Sequence, residues 1–149
     1  MEFKHVPIML NECIEGLAVK ENGIYLDGTL GGGGHSKEIV KRLVSGKLIA
    51  TDLDTEAISA ARENLKDYSD KFFPVNSNFK DFKQVAEELG IDGFDGILLD
   101  LGVSSYQLDN RERGFSYMAS ETELDMRMDS NQPFSAKNVV NEYSQEQLT

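Results

Sequence analysis

The nine residues Asp27-Gly28-Thr29-Leu30-Gly31-Gly32-Gly33-Gly34-His35 constrain this chain more than any others, and five of the seven positions from 28 to 34 are glycine. Glycine reaches positive φ with little strain and, having no Cβ, lets backbone amides come close to a ligand. The run follows Gly23-Ile24-Tyr25-Leu26-Asp27, which reads as a β-strand. It precedes a segment that presents Ile39, Val40 and Leu43 at helical spacing, with Ser36 as the expected N-cap. In nucleotide-binding α/β sheets, a glycine turn at this junction cradles an adenosine-bearing cofactor or an anion.

The strand-then-helix alternation recurs down the chain. An amphipathic lead-in helix over 10–19 places Leu10, Cys13, Ile14, Leu17 and Ala18 on one face, with Cys13 read as a small buried apolar residue. Lys47-Leu48-Ile49-Ala50-Thr51-Asp52 is the second strand, followed by a helix capped by Asp54 or Thr55 with Ala57, Ile58, Ala61 and Leu65 at core spacing. Phe72-Phe73-Pro74-Val75 is a third strand, which Pro74 marks as bulged or imperfect. Phe82, Val85, Ala86 and Leu89 form a helix that Gly90 closes. Phe94 to Asp100 is the fourth strand, apolar enough to predict a central position in a sheet buried on both faces. The fold class is therefore α/β, with a mostly parallel, doubly wound sheet. From Leu101 to Asn131 the pattern lapses into a polar loop, of a length that compact domains keep for function. Helical character returns weakly from Ser135 to Leu148. Four strands followed by a stop predict a sheet that continues outside these residues.

Composition excludes several function classes. No apolar run approaches the roughly 20 residues that cross a bilayer, and the first residues lack the apolar stretch of a signal peptide. A lone Cys13 fits a reducing cytoplasm, and one Cys with two His provides no metal-ligand cluster. The net charge of −11 argues against a nucleic-acid surface spread over the whole chain. If the substrate is nucleic acid, affinity must come from a local patch, from residues outside this chain or from a partner; Arg111 and Arg113, flanked by Phe115 and Tyr117, are the loop's one basic-aromatic cluster.

Two familiar cofactor templates fail at the glycine turn. A dinucleotide fingerprint begun at Gly31 or Gly32 lacks its third glycine, and a triphosphate loop would need Lys and then Ser or Thr where Gly34 and His35 stand. What remains is an acid at the end of strand one with glycines behind it, which suits a cofactor without a pyrophosphate, such as S-adenosylmethionine. Asp52 ends strand two about 20 residues on, where an acid accepts hydrogen bonds from ribose hydroxyls; Asp54 is its rival but fits better as a helix cap. Phe79 follows strand three, where a ring can lie on an adenine or join the core. Asp100, Ser104, Ser105 and Gln107 follow strand four and can hold an acceptor amine or hydroxyl while one proton is managed.

Gly31-Gly32-Gly33-Gly34-His35-Ser36, Asp95 to Ser105, Arg113-Gly114-Phe115-Ser116 and Leu124 to Asp129 together resemble the MraW/RsmH family, as does the opening His5-Val6-Pro7-Ile8-Met9-Leu10. The resemblance runs along nearly the whole chain. It implies a Rossmann-like, S-adenosylmethionine-dependent methyltransferase that modifies the N4 amine of a cytosine in small-subunit ribosomal RNA. It implies cofactor contacts at Gly33, Gly34, His35, Asp52, Phe79, Asp100 and Gln107, with Asp100, Ser104 and Ser105 orienting the target amine. It also implies an inserted helical domain that helps hold RNA, so 1–108 is read as the cofactor domain and 109–149 as the loop and the start of that insert. Tyr106 departs from the proline common at this place in the family. Family members are about twice as long, and the unfinished sheet edge favours a homodimer. A nicotinamide-dependent oxidoreductase and a non-catalytic binding module are the alternatives.

Overall fold

Strands that are apolar on both sides need cover on both faces, and amphipathic helices between them supply it. The computed structural model describes residues 7–118 and 120–149. His5 and Val6 of the opening motif lie outside the described residues. The chain forms two compact units, one up to Leu101 and one from Gly102 to Thr149.

The first unit holds α1 (Leu10–Leu17), β1 (Ile24–Asp27), α2 (Gly34–Val40), β2 (Lys47–Asp52), α3 (Thr55–Asn64), β3 (Phe72–Asn76), α4 (Phe82–Glu88) and β4 (Gly96–Leu98). All pairings are parallel, in the order β3-β2-β1-β4. This is the Rossmann order, and its direction reverses between β1 and β4, the switch point where such sheets bind ligands. Leu48 and Ala50 join Ile14, Leu30, Ile39 and Ala61 in the core under α1, α2 and α3. Leu26 and Ile49 pack with Val85 and Ala86 of α4 on the other face. The alternation of Leu48, Ile49 and Ala50 between two cores is the period-2 side-chain geometry of a doubly covered strand.

Several expectations meet a different arrangement. The N-cap of α2 is Gly33, so Ser36 lies inside the helix and its hydroxyl turns to Asp27 instead. Pro74 pairs with Ala50 in an unbroken register; β3 is an edge strand, where a missing N–H is tolerated without a bulge. Among the described residues β4 is also an edge strand, paired only with β1 where the sequence predicts a central position, and Ile97 is 47% exposed. Cys13 is half-buried, since Ile14 takes the inward position on α1. Asp54 does cap α3, accepting from the Glu56 amide at 3.0 Å.

In the second unit the expected loop is partly helical. α5 (Ser105–Asp109) and a 3-10 turn (Arg111–Arg113) precede α6 (Ala136–Glu142) and α7 (Gln145–Leu148). Arg127 organises the stretch between them. Its Nε and Nη2 donate to the Asp125 carboxylate, and Nη1 donates to the carbonyls of Ser130 and Gln132. No helix among the described residues is long and apolar enough to cross a membrane.

Candidate functional site

The chain leaving β1 is tied to both neighbouring strands before it enters α2. Gly28 N donates to Leu98 O of β4 and Leu30 N to Thr51 O of β2, at 2.9 and 3.1 Å. Gly31 N donates to Asp52 Oδ2 at 2.8 Å, and Asp100 N donates to Thr29 Oγ1 at 2.7 Å. The glycine turn is thus tied to Asp52, which ends β2, and to the backbone of Asp100, two residues beyond β4. Gly31 has φ +49° and Gly33 φ +80°, the left-handed region that side chains rarely enter. Among the described residues, a Cβ on Gly32 would meet nothing within 4 Å, and one on Gly31 only Thr29 O at 4.0 Å. Here the turn faces open space.

Beneath it lies Asp27, 1% exposed. Its Oδ1 accepts from Thr29 N at 3.1 Å and its Oδ2 from Ser36 Oγ at 2.6 Å. Burial pushes the carboxyl above the ordinary carboxylate value, against the pull of these two hydrogen bonds. Asp27 is therefore a support for the turn. Asp52 is only half-buried, and its Oδ1 accepts from Asp54 N at 2.9 Å. Each of its oxygens receives one backbone donor, and a carboxylate oxygen can accept two. Asp52 therefore keeps acceptor capacity for hydroxyls.

Phe79 is 39% exposed. It begins a 3-10 turn capped by Asn78, whose Oδ1 accepts from Lys80 N at 3.0 Å. A Cβ on Gly28 would come within 2.9 Å of Phe79 Cβ and would overlap Leu99 Cδ2, so the bare glycine lets both residues close on the end of β1. Asp100 is exposed. His35 is buried, and its Nε2 donates to Ile8 O at 3.1 Å; a carbonyl only accepts, so this bond places the proton on Nε2.

The remaining expected site residues belong to the second unit. Ser104 caps α5 and shares a capping box with Gln107, whose buried side chain accepts from Ser104 N at 3.0 Å. Ser105 opens that helix, and Tyr106 is 56% exposed. Arg113 Nη2 donates to the carbonyls of Arg127 and Met128 at 3.0 and 3.1 Å, which gives it a structural bond set; Arg111 is exposed. Sequence reasoning did not find Ser36 as a partner of Asp27, because a hydroxyl nine residues away carries no local signal.

The geometry is a Rossmann switch point with an open glycine turn flanked by carboxylates. The likeness to solved structures extends to this fold: a SAM-dependent O-methyltransferase from Thermotoga maritima gives a TM-score of 0.52 at 21% identity, over 66% of this chain and 38% of that one. A protein-L-isoaspartate O-methyltransferase gives 0.53 at 14% identity, over 64% and 29%. Sequence likeness goes further. The "Ribosomal RNA small subunit methyltransferase H" of Finegoldia magna is 54% identical over 148 residues, 99% of this chain and 47% of that protein. The protein of the same name from Clostridium botulinum strain Loch Maree is 57% identical over 99% of this chain and 48% of its own length. The chain thus spans about half the length of the curated relatives it matches. A model of the MraW methylase family matches residues 2–149. With that match over almost every residue, and relatives more than half identical along it, the chain belongs to the MraW methylase family.

Proposed function

We propose that this chain is the cofactor-binding half of an S-adenosylmethionine-dependent methyltransferase acting on the N4 amine of a cytosine in small-subunit ribosomal RNA. The observation that carries the reading is the open glycine turn held between Asp52 and Asp100, with Asp27 buried beneath it. The half-buried Asp52 and exposed Asp100 carboxylates beside the turn disfavour a pyrophosphate and suit a cationic sulfonium. The residues present therefore fit this cofactor, and the relatives' names supply the RNA substrate class.

Bound S-adenosylmethionine would supply an electrophilic methyl carbon. The chain's own residues bind and orient. Asp52 accepts from ribose hydroxyls, Phe79 offers its exposed ring to the adenine, and the backbone of the glycine turn, with Gly33, Gly34 and His35, shapes the cradle. Asp100 accepts an N–H of the target amine, so that the nitrogen lone pair points at the carbon it attacks. Methylation would cost the amine one N–H proton, and Asp100, which accepts that N–H, would receive it. Ser104 and Ser105 are the further candidates for orienting the amine, Asp100 and Gln107 for contacting the cofactor, and Arg111 and Arg113 are the proposed RNA-contacting cations. A ribosomal substrate places the protein in the cytoplasm, and the open edge of β4 is the proposed contact for a homodimer.

Titration calorimetry with S-adenosylmethionine, and separately with NADH, tests the cofactor. Binding of the first alone is expected, with Asp52→Ala lowering affinity by about ten-fold or more. Binding of NADH instead would establish the oxidoreductase alternative. Methylation of isolated small ribosomal subunits by a chain of the relatives' full length tests the substrate; transfer to a base other than cytosine would refute the N4 assignment.

A further inference from the structure

We propose that the turn Pro7–Met9 is a positioning element for the cofactor site, acting on the glycine turn through Gly34 and His35; this rests on the cofactor reading above. The four consecutive glycines divide into two pairs with different surroundings. Gly31 and Gly32 face open space, as described. Gly33 is buried against Leu65 and Ala61, where a Cβ would stand 2.9 Å from Leu65 Cδ1 and 3.4 Å from Ala61 Cβ. Gly34 lies under Pro7: a Cβ there would overlap Pro7 Cγ and stand 3.1 Å from Cδ and 3.6 Å from Cβ. The second pair is glycine because protein atoms press on it from α3 and from the N-terminal segment.

The segment that presses on Gly34 is itself anchored. Ile8 O accepts from the buried ring of His35 at 3.1 Å, one residue beyond Gly34. Met9 adopts φ +50° as the N-cap of α1, and its carbonyl accepts from Cys13 N at 2.9 Å. Ile14 of α1 shares a core cluster with Leu30 of the glycine turn. Pro7 has a ring-locked φ, so the block it places over Gly34 is rigid. The open face at Gly31 and Gly32 therefore takes its shape from a clamp on Gly33 and Gly34, one jaw of which lies about 27 residues away in sequence.

A double-substitution cycle in the whole chain separates this role from direct ligand contact at Gly34. Gly34→Ala is expected to weaken calorimetric affinity for S-adenosylhomocysteine by about ten-fold or more, because the new methyl collides with the Pro7 ring. Pro7→Ala removes Cγ and Cδ and leaves Cβ at ordinary contact distance. The double variant should therefore bind within about three-fold of Pro7→Ala alone. His35→Ala should weaken binding, and His35→Gln, which keeps a donor for Ile8 O, should restore part of it. Binding stoichiometry and melting curves read the folded fraction separately, so affinity reports the site and not the amount of folded protein. If Pro7→Ala fails to rescue Gly34→Ala, the methyl intrudes on the ligand and the positioning role is wrong. Affinities unchanged while only melting shifts would also overturn it. No binding by the unsubstituted chain would remove the cofactor reading, and the positioning role with it.

Discussion

A carboxylate taken out of water without a cation beside it must regain its hydrogen bonds from the protein. Asp27 regains two, from Thr29 and Ser36, and its proton affinity is still raised. The sign follows from linkage. Between the ordinary value of 3.8 and the raised one, the folded chain holds a proton that the unfolded chain has released. The stability that Asp27 contributes is complete below the ordinary value and is lost as pH rises through the raised one. Asp27→Asn should remove this fall, and urea-unfolding free energies from about pH 4 to about pH 7 will show it; an identical slope in both proteins would contradict the assignment. Thr51 Oγ1 is fully buried and, among the described residues, has no hydrogen-bond partner. Thr51→Val should therefore be neutral or stabilising by about 1 kcal/mol in the same assay. Phe79 tests the site: its replacement by Ala should weaken S-adenosylmethionine binding by about 1–3 kcal/mol if the ring stacks on adenine. The types of these residues were legible in sequence, as an acid at a strand end and a ring after strand three. Their partners were not, because the bond from Asp100 N to Thr29 spans 71 positions.

At the level of elements, β1, β2 and β3 and the helices between them follow from apolar periodicity, since a strand covered on both faces has few other sequences available to it. The placing of α2 did not follow. A left-handed Gly33 caps it, although Ser36 has the better capping chemistry, because the Ser36 hydroxyl is engaged by Asp27 inside the helix. The second unit is governed by side-chain forks whose geometry periodicity does not report. Asp125 is held below the ordinary carboxylate range by the Arg127 guanidinium that donates to it. Stability from this pair is present above the ordinary value and is lost as pH falls through the depressed one. Arg127→Ala should destabilise the unit, because it removes the donors to Asp125, Ser130 and Gln132 together. Arg127→Lys should not rescue it, because donors on a single nitrogen cannot reach the carboxylate and the two carbonyls that the guanidinium meets through three separate nitrogens. Hydrogen exchange at the amides of Met126, Ala136 and Lys137, which close this segment on Arg113, Asp125 and Leu124, reads the effect residue by residue. Unchanged protection would mean that the fork is ornamental.

For the molecule as a whole, a net charge of −11 and, among the described residues, two sheet edges without an outer strand bear on how it meets other molecules. The edge at β4 is the less protected one: β3 carries Pro74, whereas β4 presents a half-exposed Ile97 with no strand on its outer side among the described residues. If the homodimer forms there, Ile97→Lys should shift sedimentation velocity toward the monomer, and an unchanged profile would place the contact elsewhere. The sequence by itself determined the parallel α/β class, the glycine turn at the end of β1 and the acids at the ends of β2 and β4, because each is a local pattern that nearby residues enforce. The tertiary structure decided which glycines face open space and which are clamped, that Ser36 holds Asp27 and does not cap α2, and that Arg113 bonds to carbonyls of its own chain. Each of these depends on atoms brought together from distant positions, and only the packed chain fixes such distances.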